Sequence, residues 1–165
     1  MQTNRTITEQ EAYLKLSALC AQAEHCRQEM RDKMRRWGLD TEASERVLSR
    51  LVSERYVDDE RYCRAFVADK IRYNKWGRRK VEQALWLKRI DAAVSQRVLD
   101  DVDDSEYVAV LKPLLKQKRR TTKAGSDYEL NMKLIKFALS RGFGMEIIRQ
   151  CMDVSDEDAF DDADV

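Results

Sequence analysis

The chain has 165 residues, of which 37% are charged and 43% hydrophobic, and its mean hydropathy is −0.67. With five glycines and one proline, the composition favours solvated helices over a sheet with many turns, and the apolar share excludes wholesale disorder. No apolar run reaches the length of about 18 residues that a membrane span requires, and the first residues lack the apolar segment of a targeting signal, so we expect a cytoplasmic protein.

A ten-residue segment occurs twice along the chain. LDTEASERVL at 39–48 and IDAAVSQRVL at 90–99 agree at five of ten positions, with an offset of 51 residues. The apolar positions around both copies recur at a spacing of four, which is a helical period. The same apolar pattern returns once more, 53 residues beyond the second copy. We therefore predict an all-α fold, an elongated, curved array of three tandem three-helix repeats at 9–56, 57–102 and 103–152.

The middle repeat shows most clearly where its helices begin. Asp58 is a favourable N-cap, and Asp59 and Glu60 follow in a first turn that favours negative charge. These carboxylates could also be imagined as a metal site, but capping explains them more simply. The segment YNKWG interrupts the helical pattern at Gly77, a second helix follows, and Asp91 is placed to cap the third.

A left-handed turn is predicted between the second and third helices of the two outer repeats. Gly38 and Gly142 occupy that place in the outer repeats, where glycine fits best. The middle repeat has Arg89 there, which is an irregularity. In the last repeat the first helix is expected over 105–118, with a bend or a late start at Pro113.

Basic residues are concentrated between Lys70 and Arg89, a segment with eight basic residues and only one acidic residue. Arg78, Arg79 and Lys80 form the first turn of a predicted helix, where the helix dipole disfavours cations. The arrangement makes sense if an anion binds at this helix start, where free backbone N–H groups also point. A second cluster lies in the third repeat, and both could follow a phosphate backbone. The predicted contact residues are Lys70, Arg72, Lys75, Arg78, Arg79, Lys80, Lys88, Arg89, Lys116, Lys118, Arg119, Arg120 and Lys123.

The chain offers little that predicts catalysis. An ordinary charged helical surface is the alternative for both basic clusters. Trp76, which lies in the first cluster, could stack on bases, although packing is the favoured role. His25 is the only histidine, and no phosphate-binding loop, dinucleotide motif or zinc motif is present. We therefore predict no catalytic residue, metal site or cofactor. The four cysteines form no metal-binding spacing, and we predict reduced, buried or half-buried thiols at Cys20, Cys26, Cys63 and Cys151.

The last thirteen residues, 153–165, carry seven acidic side chains and no basic ones. Without them the net charge rises from +1 to +8. A block of like charges at a terminus predicts a disordered, solvated tail. Such a tail could compete with a partner for the basic surface.

Three segments resemble the RecX family, bacterial regulators of the RecA recombinase. YVDDERYCRAFVADKI at 56–71 resembles the family signature, and WGRRKVEQALWLKRI at 76–90 is similar to the basic helix that follows it. SRGFGMEIIRQCM at 140–152 resembles the final repeat of the family. The matching positions are Asp58, Asp59, Tyr62, Phe66, Gly77, Leu85, Ile90, Gly142 and Phe143. Cys63 stands where the family usually has alanine, Arg89 replaces a usual glycine, and the acidic tail is not part of the pattern.

The resemblance implies both a fold and a function. It implies three tandem three-helix repeats that bind, as a monomer, along the groove of the RecA filament on single-stranded DNA. Members hinder filament growth, lower ATP hydrolysis by RecA and reduce strand exchange, which places the chain in DNA repair and the SOS response. Two alternatives remain: a stand-alone, sequence-tolerant nucleic-acid-binding helical protein, and an enzyme with an unrecognised carboxylate site.

Overall fold

The computed structural model describes residues 6–152. The predicted acidic tail at 153–165 therefore lies outside the described residues. Within the described part the chain is helical and contains no strand. The helices are α1 (Glu9–Gln22), α2 (Arg27–Arg36), α3 (Thr41–Ser53), α4 (Asp59–Arg72), α5 (Arg78–Leu87), α6 (Ala92–Asp100), α7 (Asp104–Thr121), α8 (Asp127–Ser140) and α9 (Met145–Cys151). They fall three to each predicted repeat, which confirms the prediction of an all-α chain of tandem three-helix repeats; the exact limits of the repeats stay predictions.

The predicted caps hold the helix starts. The carboxylate of Asp58 accepts from the Arg61 N–H at 3.0 Å, and that of Asp91 accepts from the Ala93 N–H at 3.0 Å. Asp40 does the same for α3, where it accepts from the Ala43 N–H at 2.8 Å. Each cap satisfies a backbone donor that has no partner within its own helix, so these aspartates define where the helices begin.

The left-handed turn recurs in all three repeats with the same hydrogen bonds. The φ angles are 78° at Gly38, 55° at Arg89 and 92° at Gly142. In each turn the N–H of the next residue donates to a carbonyl five positions back, at 3.0 Å, 3.2 Å and 3.1 Å respectively. These are Schellman turns, and the backbone at Arg89 is the same as that of the glycine turns. The irregularity in the middle repeat is therefore a non-glycine residue held in a glycine conformation, at a cost of about 1–2 kcal/mol.

Packing divides the chain into two compact units. Within residues 6–152, one takes the chain up to Phe66 together with Leu85–Val98, and the other takes Val67–Ala84 together with the chain from Leu99 to Met152. The boundary runs through α4, α5 and the end of α6, so the middle repeat contributes to both units. We call them the first unit and the second unit.

In the first unit, α1 and α2 both pack on α3. Its core is a cluster of fully or almost fully buried residues: Ala12, Leu16, Met30, Met34, Val47, Leu48, Leu51 and Val57. The apolar residues of α2 and α3 lie three or four positions apart, so each helix buries a single stripe. Each helix is too short to be stable alone, and this shared core stabilises all three.

In the second unit, α7 packs on both α8 and α9. α7 buries Tyr107, Leu111 and Leu115, which lie four residues apart along one face. The helix runs past both predicted ends and passes through Pro113, so the late start is wrong. It continues because the buried stripe extends on both sides of the proline, and the fixed φ of proline is compatible with a helix. No helix among residues 6–152 combines the length and the apolar character that crossing a membrane requires.

Candidate partner and nucleic-acid interface

The predicted contact residues lie on the surface, and all of them except Lys88 and Arg89 belong to the second unit. None is buried. Several are held in place by aromatic rings. The ammonium groups of Lys70 and Lys80 lie 5.1 Å and 5.0 Å from the centroid of the Trp76 ring. Trp76, which is half-buried, therefore orders two cations that come from different helices.

Backbone carbonyls of the turn between α8 and α9 contact the start of α5, so the Arg79 N–H is not free for the predicted anion. The Arg79 N–H donates to the carbonyl of Gly142 at 3.1 Å, and the Gly77 N–H donates to that of Arg141 at 2.8 Å. A Cβ added at Gly142 would lie 2.5 Å from the backbone nitrogen of Lys80. The turn between α8 and α9 thus covers the first turn of α5. Sequence periodicity could not reveal this, because the covering residues lie more than sixty positions away.

The side chains of the same turn still face a pocket. It has a volume of about 260 Å³ and is lined by Arg79, Lys80, Gln83, Leu139, Ser140 and Gly142. Among residues 6–152, no acidic side chain forms an ion pair with Arg79 or Lys80. An anion at this place would meet the side chains of Arg79 and Lys80. The cationic first turn remains unusual, because α5 has no acidic residue there to offset its dipole.

Phe137 and Arg141 connect the two basic clusters, and sequence reasoning did not select either as a contact residue. The ammonium of Lys118 and the guanidinium of Arg141 lie 4.9 Å and 5.3 Å from the centroid of the Phe137 ring. Arg141 also donates to the Asn74 carbonyl at 3.2 Å, within the turn that precedes α5. The end of α7 is thereby joined through α8 to the first cluster. A cation–aromatic pair at distant positions has no sequence period, so no local pattern could have indicated it.

The cations at the end of α7 have a structural role as well. Lys118, Arg119 and Arg120 form its last turn, where positive charge interacts favourably with the helix dipole. Arg119 donates to the side-chain oxygen of Asn131 at 3.0 Å. Lys116 and Arg120 lie one turn apart on the same helix face, and both are exposed. This pair is free to meet a partner, because no acidic residue in the described part of the chain pairs with either one.

Two predicted contact residues are already paired with carboxylates. Arg78 lies 2.6 Å from the Asp100 carboxylate, and Lys88 lies 3.9 Å from that of Glu29. Both pairs are partly exposed, so each contributes little to stability, but each reduces the net positive charge at its place. Cations without a carboxylate partner among residues 6–152, such as Arg79 and Arg120, contribute more to the net positive charge of the second unit.

Of the tryptophans, Trp86 is more exposed than the predicted stacking candidate. Its exposed fraction is 76%, whereas Trp76 is half-buried beneath its lysines. Trp86 lies in the first unit, next to Leu87, which is 73% exposed. The sequence suggested packing for tryptophans at helical spacing, and Trp86 departs from this because it lies off the buried stripe of α5.

The acidic residues at the start of α4 each have a structural partner. Asp58 caps α4, Asp59 accepts from the N–H of Arg27 at 2.9 Å, and Glu60 pairs with Arg97 at 2.7 Å. In residues 6–152 no group of three histidine, cysteine or carboxylate side chains could hold a metal ion.

The remaining residues of the family pattern lie in packing positions. Tyr62 is 8% exposed and its ring centroid lies 5.8 Å from that of Phe66. Leu85, Ile90 and Phe143 are buried. They shape the helix contacts and do not form part of the charged surface.

The four thiols are free and at least half-buried, as predicted. Burial raises the pKa of Cys26 to about 12 and that of Cys63 to about 11. Both therefore remain protonated at neutral pH and lack the thiolate that a nucleophile or a metal ligand requires.

Models of three domains of one family match the chain in order. RecX, first three-helix domain, matches residues 12–51; RecX, second three-helix domain, matches 58–99; and RecX, third three-helix domain, matches 104–152. The three matches together cover most of the chain. They also follow the order of the helices described above.

Individual proteins and solved structures agree with these matches. Regulatory protein RecX of Clostridium botulinum (strain Alaska E43 / Type E3) is 31% identical over 73% of this chain, which spans only 57% of that protein. Regulatory protein RecX of Chlorobium phaeobacteroides (strain BS1) is 30% identical over 82% of this chain and 87% of its own length. The crystal structure of RecX from Lactobacillus salivarius, at 19% identity, superposes with a TM-score of 0.77 over 87% of this chain and 93% of its own. A further crystal structure, of regulatory protein RecX, gives a TM-score of 0.80 at 17% identity, over 88% of this chain and 73% of its own. The domain matches and the relatives, together with the recurring three-helix repeat, place this chain in the RecX family.

Proposed function

We propose that this chain is a cytoplasmic, non-catalytic regulator that binds the RecA filament on single-stranded DNA and inhibits filament growth, ATP hydrolysis and strand exchange. The observation that carries the proposal is the linked cationic surface of the second unit. There Trp76 contacts Lys70 and Lys80, and Phe137 contacts Arg141 and Lys118 at the end of α7. Arg141 also donates to the Asn74 carbonyl before α5. A regulator of a nucleoprotein filament needs such a surface, because DNA phosphates dominate the charge of its target.

The first turn of α5 supports a binding role over a purely structural one. Three consecutive cations there oppose the helix dipole, and no acidic residue in that turn compensates for them. The first turns of α1 and α7, by contrast, contain acidic residues. Cations in an unfavourable place are retained more readily when they bind an anionic partner.

Inhibition follows if the chain binds one filament state more tightly than the others. A ligand shifts a conformational equilibrium only by its difference in affinity between the states. An array of repeats that contacts neighbouring recombinase subunits meets this requirement when its contacts form in only one filament state. Inhibition then occurs without any chemistry in the chain itself.

The test measures ATP hydrolysis by RecA on single-stranded DNA while this chain is added as a monomer. We expect inhibition at amounts well below those that saturate the DNA. Inhibition that appears only when the chain coats the DNA would contradict filament binding.

A pair of charge-reversal variants locates the surface. We expect Arg79→Glu with Arg120→Glu to weaken inhibition by at least about tenfold, because several phosphate contacts are lost together. The matched control is Arg35→Glu with Arg36→Glu on the first unit, which changes the net charge equally. Far-ultraviolet circular dichroism should show that both variants are folded. Equal effects of the two pairs would mean that net charge matters and the surface does not.

A second candidate function is sequence-tolerant nucleic-acid binding without a recombinase. One observation favours it. Two cations lie close to the Trp76 ring and two lie close to the Phe137 ring. The surface therefore offers contacts to phosphates, which are the same in every sequence, more readily than contacts to bases. In that case binding to a single-stranded oligonucleotide alone would have the same affinity and salt dependence as binding to the filament.

A further inference from the structure

Two large apolar side chains are exposed next to each other at the end of α5. Trp86 is 76% exposed and Leu87 is 73% exposed, whereas the preceding Leu85 is fully buried. All three lie in the first unit. Single exposed apolar residues are common, but two consecutive large apolar side chains, each about three-quarters exposed, are unfavourable in water.

The fold does not require apolar residues at these positions. In the first repeat the offset of 51 residues puts Arg35 and Arg36 at the same two places, before the same left-handed turn, and both are exposed. The same backbone therefore accepts two arginines. The apolar pair in the middle repeat has a cause other than the stability of the turn.

Arg89 lies beside this pair in a left-handed conformation, which Arg55 and Lys75 also adopt elsewhere in the described chain. Its φ is 55°, a conformation for which the other two repeats use glycine. Its N–H donates to the Trp86 carbonyl at 2.9 Å, so the turn fixes its Cα beside the apolar pair. Its side chain is exposed and forms no ion pair with any acidic residue among 6–152. A strained residue held by its surroundings is a recurring feature of functional sites.

We propose that Trp86, Leu87 and Arg89 form a protein-docking site, whose partner presents an apolar pocket for the indole with a carboxylate at its rim for Arg89. Tryptophan and arginine at the centre of a contact are the residue types that contribute most to protein–protein affinity. The proposal rests on the proposed function: the partner is then a recombinase subunit of the filament, bound while the second unit meets the DNA.

A protein fits this patch better than nucleic acid does. Leu87 has no ring to stack on a base, and Lys88 lies 3.9 Å from the Glu29 carboxylate, which reduces the positive charge available to a phosphate. The cations suited to phosphate lie in the second unit instead. An apolar patch with one unpaired guanidinium matches an acidic rim around an apolar pocket.

The test uses the full chain and two binding measurements, one to RecA filaments on single-stranded DNA and one to the same oligonucleotide without RecA. We expect Trp86→Ala with Leu87→Ala to weaken filament binding by about 30-fold, because two central apolar anchors are removed. Oligonucleotide binding should change less than about twofold, since the cations are intact. The matched control, Arg35→Ala with Arg36→Ala, should leave filament binding within about threefold of the wild type.

Arg89→Gly separates docking from folding. Glycine relieves the left-handed strain, so the thermal midpoint should rise, while filament affinity should fall by about tenfold with the loss of the guanidinium. A purely structural role would make stability and binding change together.

Three results overturn the assignment. Unchanged filament binding by the double variant removes the docking site but leaves the proposed function standing. Equal losses on filament and oligonucleotide would mean that Trp86 stacks on bases. A wild-type chain that does not bind the filament overturns the proposed function and this assignment with it.

Discussion

Replacing Gly142 with alanine tests the close approach between the turn after α8 and the start of α5. Two effects add at this position. The residue has a φ of 92°, and alanine in such a conformation costs about 1–2 kcal/mol. Its new Cβ would also lie 2.5 Å from both the nitrogen and the Cβ of Lys80, and overpacking of this kind costs about 1–3 kcal/mol. We therefore expect Gly142→Ala to lower the free energy of unfolding by about 2–5 kcal/mol.

Three other glycines separate the two effects. Gly38→Ala involves a φ of 78° but meets no atom within 4 Å, so only the conformational cost of about 1–2 kcal/mol applies. Gly77→Ala has no left-handed penalty, but its Cβ would lie 2.4 Å from the Gly142 carbonyl carbon, which predicts a loss of about 1–3 kcal/mol. Gly144→Ala, in the same unit, meets no atom within 4 Å and has an extended backbone, so it should cost less than about 1 kcal/mol.

Urea unfolding followed by circular dichroism measures these losses, with stability extrapolated linearly to water. All four glycine variants gain the same restriction of the unfolded chain, so their differences report the folded state. Equal losses for Gly38→Ala and Gly142→Ala, together with an unaffected Gly77→Ala, would refute the close approach.

Two further predictions concern the first unit. Thiol labelling at neutral pH should leave Cys26 and Cys63 unmodified until the chain unfolds, because burial raises both pKa values; rapid modification of the native chain would contradict their burial. Stability should also fall in acid. The hydrogen bond from Arg31 lowers the pKa of Glu45 below its ordinary 4.5. The contribution of this pair to the free energy of unfolding is therefore present above pH 4.5 and is lost as pH falls through the lower pKa of the folded state. Glu45→Gln should flatten the unfolding free energy in that range, and an unchanged pH profile would show that the pair is not formed.

The repeated fold could be predicted from the sequence because its determinants are local. Helix spacing, the aspartate caps and the left-handed turns each occupy fewer than ten consecutive residues, so a periodic pattern reveals them. Arg89 illustrates the limit of that reasoning. The sequence marks it as a departure from glycine, whereas only the structure shows that the backbone keeps the left-handed turn.

The candidate site was only partly predictable, because its geometry depends on contacts between distant segments. The sequence identified the cations but suggested free amides at the start of α5, whereas the Arg79 N–H is bonded to a carbonyl more than sixty residues away. The joining role of Phe137 and Arg141 has the same origin. Exposure of Trp86 was also missed, because packing was expected for tryptophans at helical spacing, whereas Trp86 lies off the buried stripe of α5.

Electron cryomicroscopy of this chain bound to a RecA filament on single-stranded DNA would show which surface meets the DNA. We expect the first turn of α5 and the end of α7 to face the DNA, with the side chains of Arg79 and Arg120 within contact distance of phosphate groups. A complex in which both side chains point into solvent, away from DNA and recombinase, would contradict this expectation.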